Sequence, residues 1–327
     1  MTLPTRTQTL RIHSIRALHP GTRLIVLGAV HGNEIAGTRA IERVLGEIDS
    51  GTLNIVRGTV TFVPITNPLA YQTGQRIGER NLNRNLRPNS DPRDNEDRIA
   101  NVLCPLLAQH DVLLDLHSFQ AAGESFAMLG PPDNADTLEP FAHAAQEESL
   151  ALRLGPRRIV EGWLSTYAVG VKERLRRTPP TEYHQLLNTD PSYGVGTTEY
   201  MRSQGGYAVT LECGQHDDPN SPEVGWQAIH NALAHLGLTE ESSPAARTAV
   251  ELLKLTEVID RMHADDYFSR QWVSYDPLCT GDLIATRADG TQVLAREDGC
   301  IVFPNAAAVP GNEWFYFARR SPRVLRG

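Results

Sequence analysis

An apolar run over Thr22–Val30 (TRLIVLGAV), followed at once by helically spaced apolar residues within Glu34–Glu47 (Ile35, Ile41, Val44, Leu45), constrains this chain more than any other feature. A short, nearly unbroken apolar stretch marks a strand covered on both faces, and such strands belong to sheets with helices on each side. The alternation continues along the chain. Thr59–Ile65 reads as a second strand, Glu96–Gln109 as a helix and Asp111–His117 as a third strand. Ser125–Leu129 and Tyr207–Leu211 read as further strands, and Pro140–Leu152, Glu223–Leu236 and Ala245–His263 as further helices. The pattern predicts an α/β fold with a mixed, mostly parallel sheet flanked by helices.

Two stretches depart from it. Leu154–Met201 is rich in Arg, Thr, Pro, Gly and Tyr and is expected to be a long, partly irregular segment over one face of the sheet. Beyond about Asp265, short strand-like pieces are punctuated by Gly281, Asp289-Gly290, Asp298-Gly299 and Pro310-Gly311. This predicts a small all-β C-terminal domain over residues 265–327, after a main domain over 1–264. A net charge of −8 is the opposite of a phosphate-binding footprint, so nucleic acid is not an expected partner. No run approaches the roughly 18 apolar residues of a membrane span. Without an apolar leader at Met1–Arg6, the expected location is cytoplasmic, with no membrane partner; homo-oligomerisation is left open. Cys104, Cys213, Cys279 and Cys300 form no C-x-x-C pair and read as reduced, mostly buried residues.

The strongest chemical signal is His31-Gly32-Asn33-Glu34, where the first strand ends and a helix is expected to begin. In an open α/β sheet the carboxyl ends of strands are where ligands bind. His31 and Glu34, one helical turn apart, would place an imidazole and a carboxylate on the same side, within reach of one ion. A catalytic zinc commonly takes two histidines and a carboxylate and keeps a fourth position open. His117, closing its strand at the same sheet edge, is the candidate third ligand, and Asp115, two residues earlier on the same face, could orient a ligand histidine. H-x-x-E also occurs on solvated helix faces, and a strand-end histidine is often simply packed.

Five short motifs in order turn this into a resemblance: H-G-N-E at 31–34, Asn67-Pro68, Leu82-Asn83-Arg84, Asp115-Leu116-His117 and Leu211–Gly214 (LECG). They resemble the succinylglutamate desuccinylase and aspartoacylase family of zinc deacylases, relatives of the zinc carboxypeptidases. The C-terminal G-D-L-I-A and the Asp298-Gly299 followed by Val302-Phe303-Pro304 are similar to that family's C-terminal domain. The resemblance implies a zinc-carboxypeptidase-like main domain and one Zn2+ per chain on His31, Glu34 and His117. It further implies Glu212 as general base, Arg76 as the oxyanion-stabilising cation, and Asn83, Arg84 and Arg202 as substrate-binding residues. Arg80 and Arg87 read as plain surface charge, and Asn83 could instead serve a turn. The segment N-L-N-R-N-L departs from the family, where an acid commonly precedes L-N-R.

The activity implied is hydrolysis of a small N-acyl amino acid, or a similar carboxylate-bearing amide, by metal-activated water. A zinc carboxypeptidase acting on peptide C-termini is the alternative within enzymes, and a metal-free binding protein on the same fold the alternative outside them. Arg84 and Arg202 would be costly in a buried pocket unless an anion paired with them, so the pocket is expected to demand an acid.

Overall fold

The computed structural model describes residues 9–178 and 189–326. Its centre is a mixed sheet. β2 (Arg23–Leu27) lies between β3 (Thr59–Val63) and β4 (Val112–Phe119), and β4 pairs on its far side with β7 (Tyr207–Gln215), all in parallel. β1 (His13–Arg16) closes one edge antiparallel to β3. β5 (Phe126–Leu129) runs antiparallel to β7 and parallel to β6 (Arg158–Glu161), which pairs in parallel with β8 (Glu251–Asp260). Alternate side chains supply two cores. Leu24 and Val26 pack with Ile41 and Val44 of α1 (Ala36–Asp49) and Ile229 of α7 (Ser221–His235). Ile25 and Leu27 pack with Leu103 and Leu107 of α3 (Asn95–Leu107) and Met201 of α6 (Thr197–Ser203). That two-sided burial is why the strand reads as a continuous apolar run.

Three expectations need correction. Ala245–His263 is not a helix, because residues 251–260 form strand β8, with Leu253, Leu255 and Val258 buried in one cluster. The segment 154–201 is more regular than expected. It contains β6, the 15-residue helix α5 (Trp163–Arg177), a 3-10 turn at Pro191–Gly194 and α6, while residues 179–188 lie outside the described residues. Finally, the tail does not simply stand apart. β14 (Glu313–Arg320) pairs with β8, then with β13 (Gly299–Val302), which pairs with β10 (Pro277–Leu278), so the large sheet reaches eleven strands and runs across position 264/265. A separate three-stranded antiparallel sheet, β12 (Gln292–Leu294), β11 (Leu283–Thr286) and β9 (Tyr267–Phe268), lies in the tail. No helix among the described residues is long and apolar enough to cross a membrane.

Candidate active site

After β2 the chain moves to β3 on one side, and β4 takes the other, so the carboxyl ends of β2 and β4 flank the point where strand order reverses. In open α/β sheets such a switch point is where ligands bind, because the connections leave in opposite directions. His31 and Glu34 sit in a turn beyond β2, closed by Glu34 N–H donating to the His31 carbonyl at 3.1 Å; α1 starts only at Ala36. The turn, rather than a helix, brings the pair together. Gly32 is required within it: a Cβ there would lie 2.0 Å from the Ala70 carbonyl carbon. Ala70 belongs to α2 (Pro68–Thr73), capped by the Asn67 side chain with Pro68 at its first position, which accounts for the Asn67-Pro68 motif.

His117 lies within β4, which runs two residues past it, and faces the same side as Asp115. His31, Glu34 and His117 are all buried, and one ligand atom from each lies within 4.8 Å of the others. His117 Nδ1 is 2.8 Å from Glu34 Oε2, and His117 Nε2 is 2.9 Å from Asp115 Oδ2, which also accepts from the Thr197 hydroxyl. His31 Nε2 is 3.1 Å from Asn81 Oδ1. His31 Nδ1 lies 2.9 Å from Glu34 Oε1 yet without hydrogen-bond geometry, and it has no hydrogen-bond partner. Burial drives the His31 pKa down to about 4, so this imidazole is neutral at neutral pH. A neutral nitrogen lying close to a carboxylate oxygen with no hydrogen bond between them is an unfavourable buried contact that a cation would resolve. Two imidazoles and a carboxylate are also a donor set zinc accepts. These residues therefore fit a metal ion.

Glu212 is register partner to His117 on the neighbouring strand and projects to the same face; it is buried, and its Oε2 has no partner. Strand β7 continues to Gln215, so Glu212 is not a solvent-facing strand end. Burial pushes its carboxyl up to about 8, with Glu34 and Asp115 adding to the shift and His117 and Arg76 opposing it. Arg76 is half exposed and places Nη1 2.5 Å from Glu34 Oε1. For Glu34, burial works against the charged form, but His31, His117 and Arg76 outweigh it and hold the carboxyl well below its usual range.

Residues 20–171 match the model of the succinylglutamate desuccinylase/aspartoacylase catalytic domain. Over those residues the chain is similar to this deacylase family. A succinylglutamate desuccinylase of Pseudomonas aeruginosa is 25% identical over 315 residues, covering 90% of this chain and 83% of that protein. A succinylglutamate desuccinylase/aspartoacylase from Rhodobacter sphaeroides has a similar fold, with a TM-score of 0.70 at 18% identity over 95% of this chain and 90% of that one. The product-bound ectoine utilization protein from Ruegeria pomeroyi gives 0.68 at 19% identity over 94% of this chain and 88% of its own.

The other arginines divide by their partners. Arg84 packs its guanidinium over Trp163 at 4.6 Å and donates Nη1 to the Asn83 carbonyl. Asn83 Oδ1 accepts from Thr197 N–H at 2.9 Å, pinning the start of α6. Arg202 is held by acids of the protein. It is buried and already neutralised by Glu147 and Glu139, each at 2.9 Å, with a further bond to the Ala208 carbonyl. The anions that make its burial tolerable come from the protein itself. Arg80 is a correction: it is no plain surface charge but clamps Asp94 at 2.7 Å and Asp97 at 2.8 Å; Arg87 is exposed as expected.

Two groups escaped the sequence reading. Asn81 touches His31 directly, and the signals for it were its place before Leu82-Asn83-Arg84 and its departure from the acid common there. Glu96, fully buried, accepts from Asn67 Nδ2 and from the backbone N–H groups of Glu79 and Arg80, holding the segment that carries Arg76. Nothing in its local sequence marks it.

Proposed function

We propose that the chain is a zinc-dependent amidohydrolase that removes the acyl group from an N-acyl amino acid or a similar small amide bearing a carboxylate. The observation carrying this reading is the unpartnered His31 Nδ1 lying 2.9 Å from Glu34 Oε1, with His117 completing a buried three-donor cluster. When bound there, zinc supplies Lewis acidity that lowers the pKa of water and polarises a carbonyl. The remaining work belongs to side chains. Glu212, one strand from His117, takes the proton of the attacking water and returns it to the leaving amine nitrogen. Arg76, beside Glu34 and half exposed, offers positive charge where the carbonyl oxygen becomes anionic. Arg84, stacked on Trp163, is the cation placed to meet a substrate carboxylate. The Pseudomonas relative is named for succinylglutamate, which makes N-succinyl amino acids the first class to try.

Purified protein should hold one zinc per chain by elemental analysis, and His117→Ala should lose it while staying folded. N-succinyl, N-acetyl and N-aspartyl-type amides should be turned over in preference to blocked dipeptides. Full zinc occupancy in His117→Ala, or a preference for the dipeptides, would count against this assignment.

A further inference from the structure

Resting on the zinc reading above, we propose that Asn81 is a positioning residue that selects which nitrogen of His31 meets the metal, and that its neutral amide makes His31 the weaker of the two histidine ligands. The argument starts from one shared oxygen. Asn81 Oδ1 lies 3.1 Å from His31 Nε2 and also accepts the backbone N–H of Asn83 at 2.9 Å. A backbone N–H can only donate, so the atom at this position must be the carbonyl oxygen and the amide cannot be flipped. Facing an acceptor, His31 Nε2 must carry the hydrogen. In a neutral imidazole the lone pair then resides on Nδ1, the nitrogen left without a hydrogen-bond partner 2.9 Å from Glu34 Oε1.

His117 is placed similarly, but its Nδ1 has hydrogen-bond geometry to Glu34 Oε2 and its other nitrogen has a different partner. That Nε2 is backed by the Asp115 carboxylate at 2.9 Å, itself steadied by Thr197. A carboxylate draws the N–H proton and raises the basicity of the opposite nitrogen, whereas an amide oxygen fixes the tautomer with a weaker pull. Supports differ as well: His117 is held within β4, His31 in a turn. Residue 81 would therefore tune metal affinity from outside the ligand set, with His31 the weaker histidine donor.

The test is the zinc dissociation constant of the full chain, measured by competition with a chromophoric chelator, with the visible spectrum of the cobalt-substituted protein as a second readout. Asn81→Asp, nearly isosteric, should tighten zinc by about tenfold or more, and Asn81→Leu should weaken it by roughly 10–100-fold. The cobalt bands should shift in Asn81→Asp, a change that a purely structural contact would not produce. If Asn81→Leu fails to fold, the Asp variant still decides. Unchanged or weaker zinc binding in folded Asn81→Asp, with wild-type binding stoichiometric and dependent on His117, overturns this inference and leaves the zinc hydrolase reading standing. A wild-type chain that binds no zinc overturns both.

Discussion

Glu212 is the side chain whose chemistry depends most on its surroundings. Buried beside Glu34 and Asp115, its carboxyl is held up to about 8 by protein groups, a value that suits the handing back of a proton better than its removal. A cation on the neighbouring ligands would move it down, because opposite charge favours the carboxylate. The base form exists above its pKa, so kcat/KM should rise with pH along an acidic limb whose midpoint lies below about 8. Glu212→Gln should retain zinc and lose about 10²–10⁴-fold in rate. Near-normal turnover by this variant, or an unchanged acidic limb, would assign the base elsewhere.

Helix α2 has six residues and little intrinsic stability, yet it carries the backbone against which Gly32 packs and leads into Arg76. Asn67 holds it in two ways, accepting from Ala70 N–H at 3.2 Å and donating to Glu96 Oε1 at 2.9 Å. Asn67→Ala removes the cap and leaves the buried Glu96 one donor poorer. The expected loss is about 1–2 kcal/mol in denaturant unfolding, with a fall in kcat/KM as the segment carrying Arg76 loosens. A variant as stable as wild type would show that Pro68 and packing suffice. The same comparison explains why β8 was misread as a helix. Leu252, Leu253, Leu255, Val258 and Ile259 satisfy a period of 3.6 as readily as a strand between two others, and only pairing with β6 and β14 distinguishes them.

Across the whole molecule, buried arginines act as fasteners. Arg202 joins α6 to Glu147 on α4 (Ala144–Ala151) and to Glu139, while Arg323 in the C-terminal segment reaches Glu148 on the same helix and Glu161 at the end of β6. Removing one partner of such a pair leaves uncompensated buried charge, so Arg202→Ala should cost roughly 3–5 kcal/mol in unfolding free energy. If the variant instead keeps its stability and loses only affinity for the acidic substrate, Arg202 is a binding residue after all. Its spacing before Glu212 was legible, but which acids surround it was not, because Glu139 and Glu147 are more than fifty residues away in the chain. What could be read along the chain was what depends on neighbours: apolar runs for the central strands, turn residues for the tail, and the nearness of His31 to Glu34, though not the turn that joins them. The three-donor cluster needed the reversal of strand order between β2 and β4, and Glu212 needed the register of β7 against β4. Those follow from which strands pair, a choice made by burying both sheet faces at once, and short-range spacing carries no record of it.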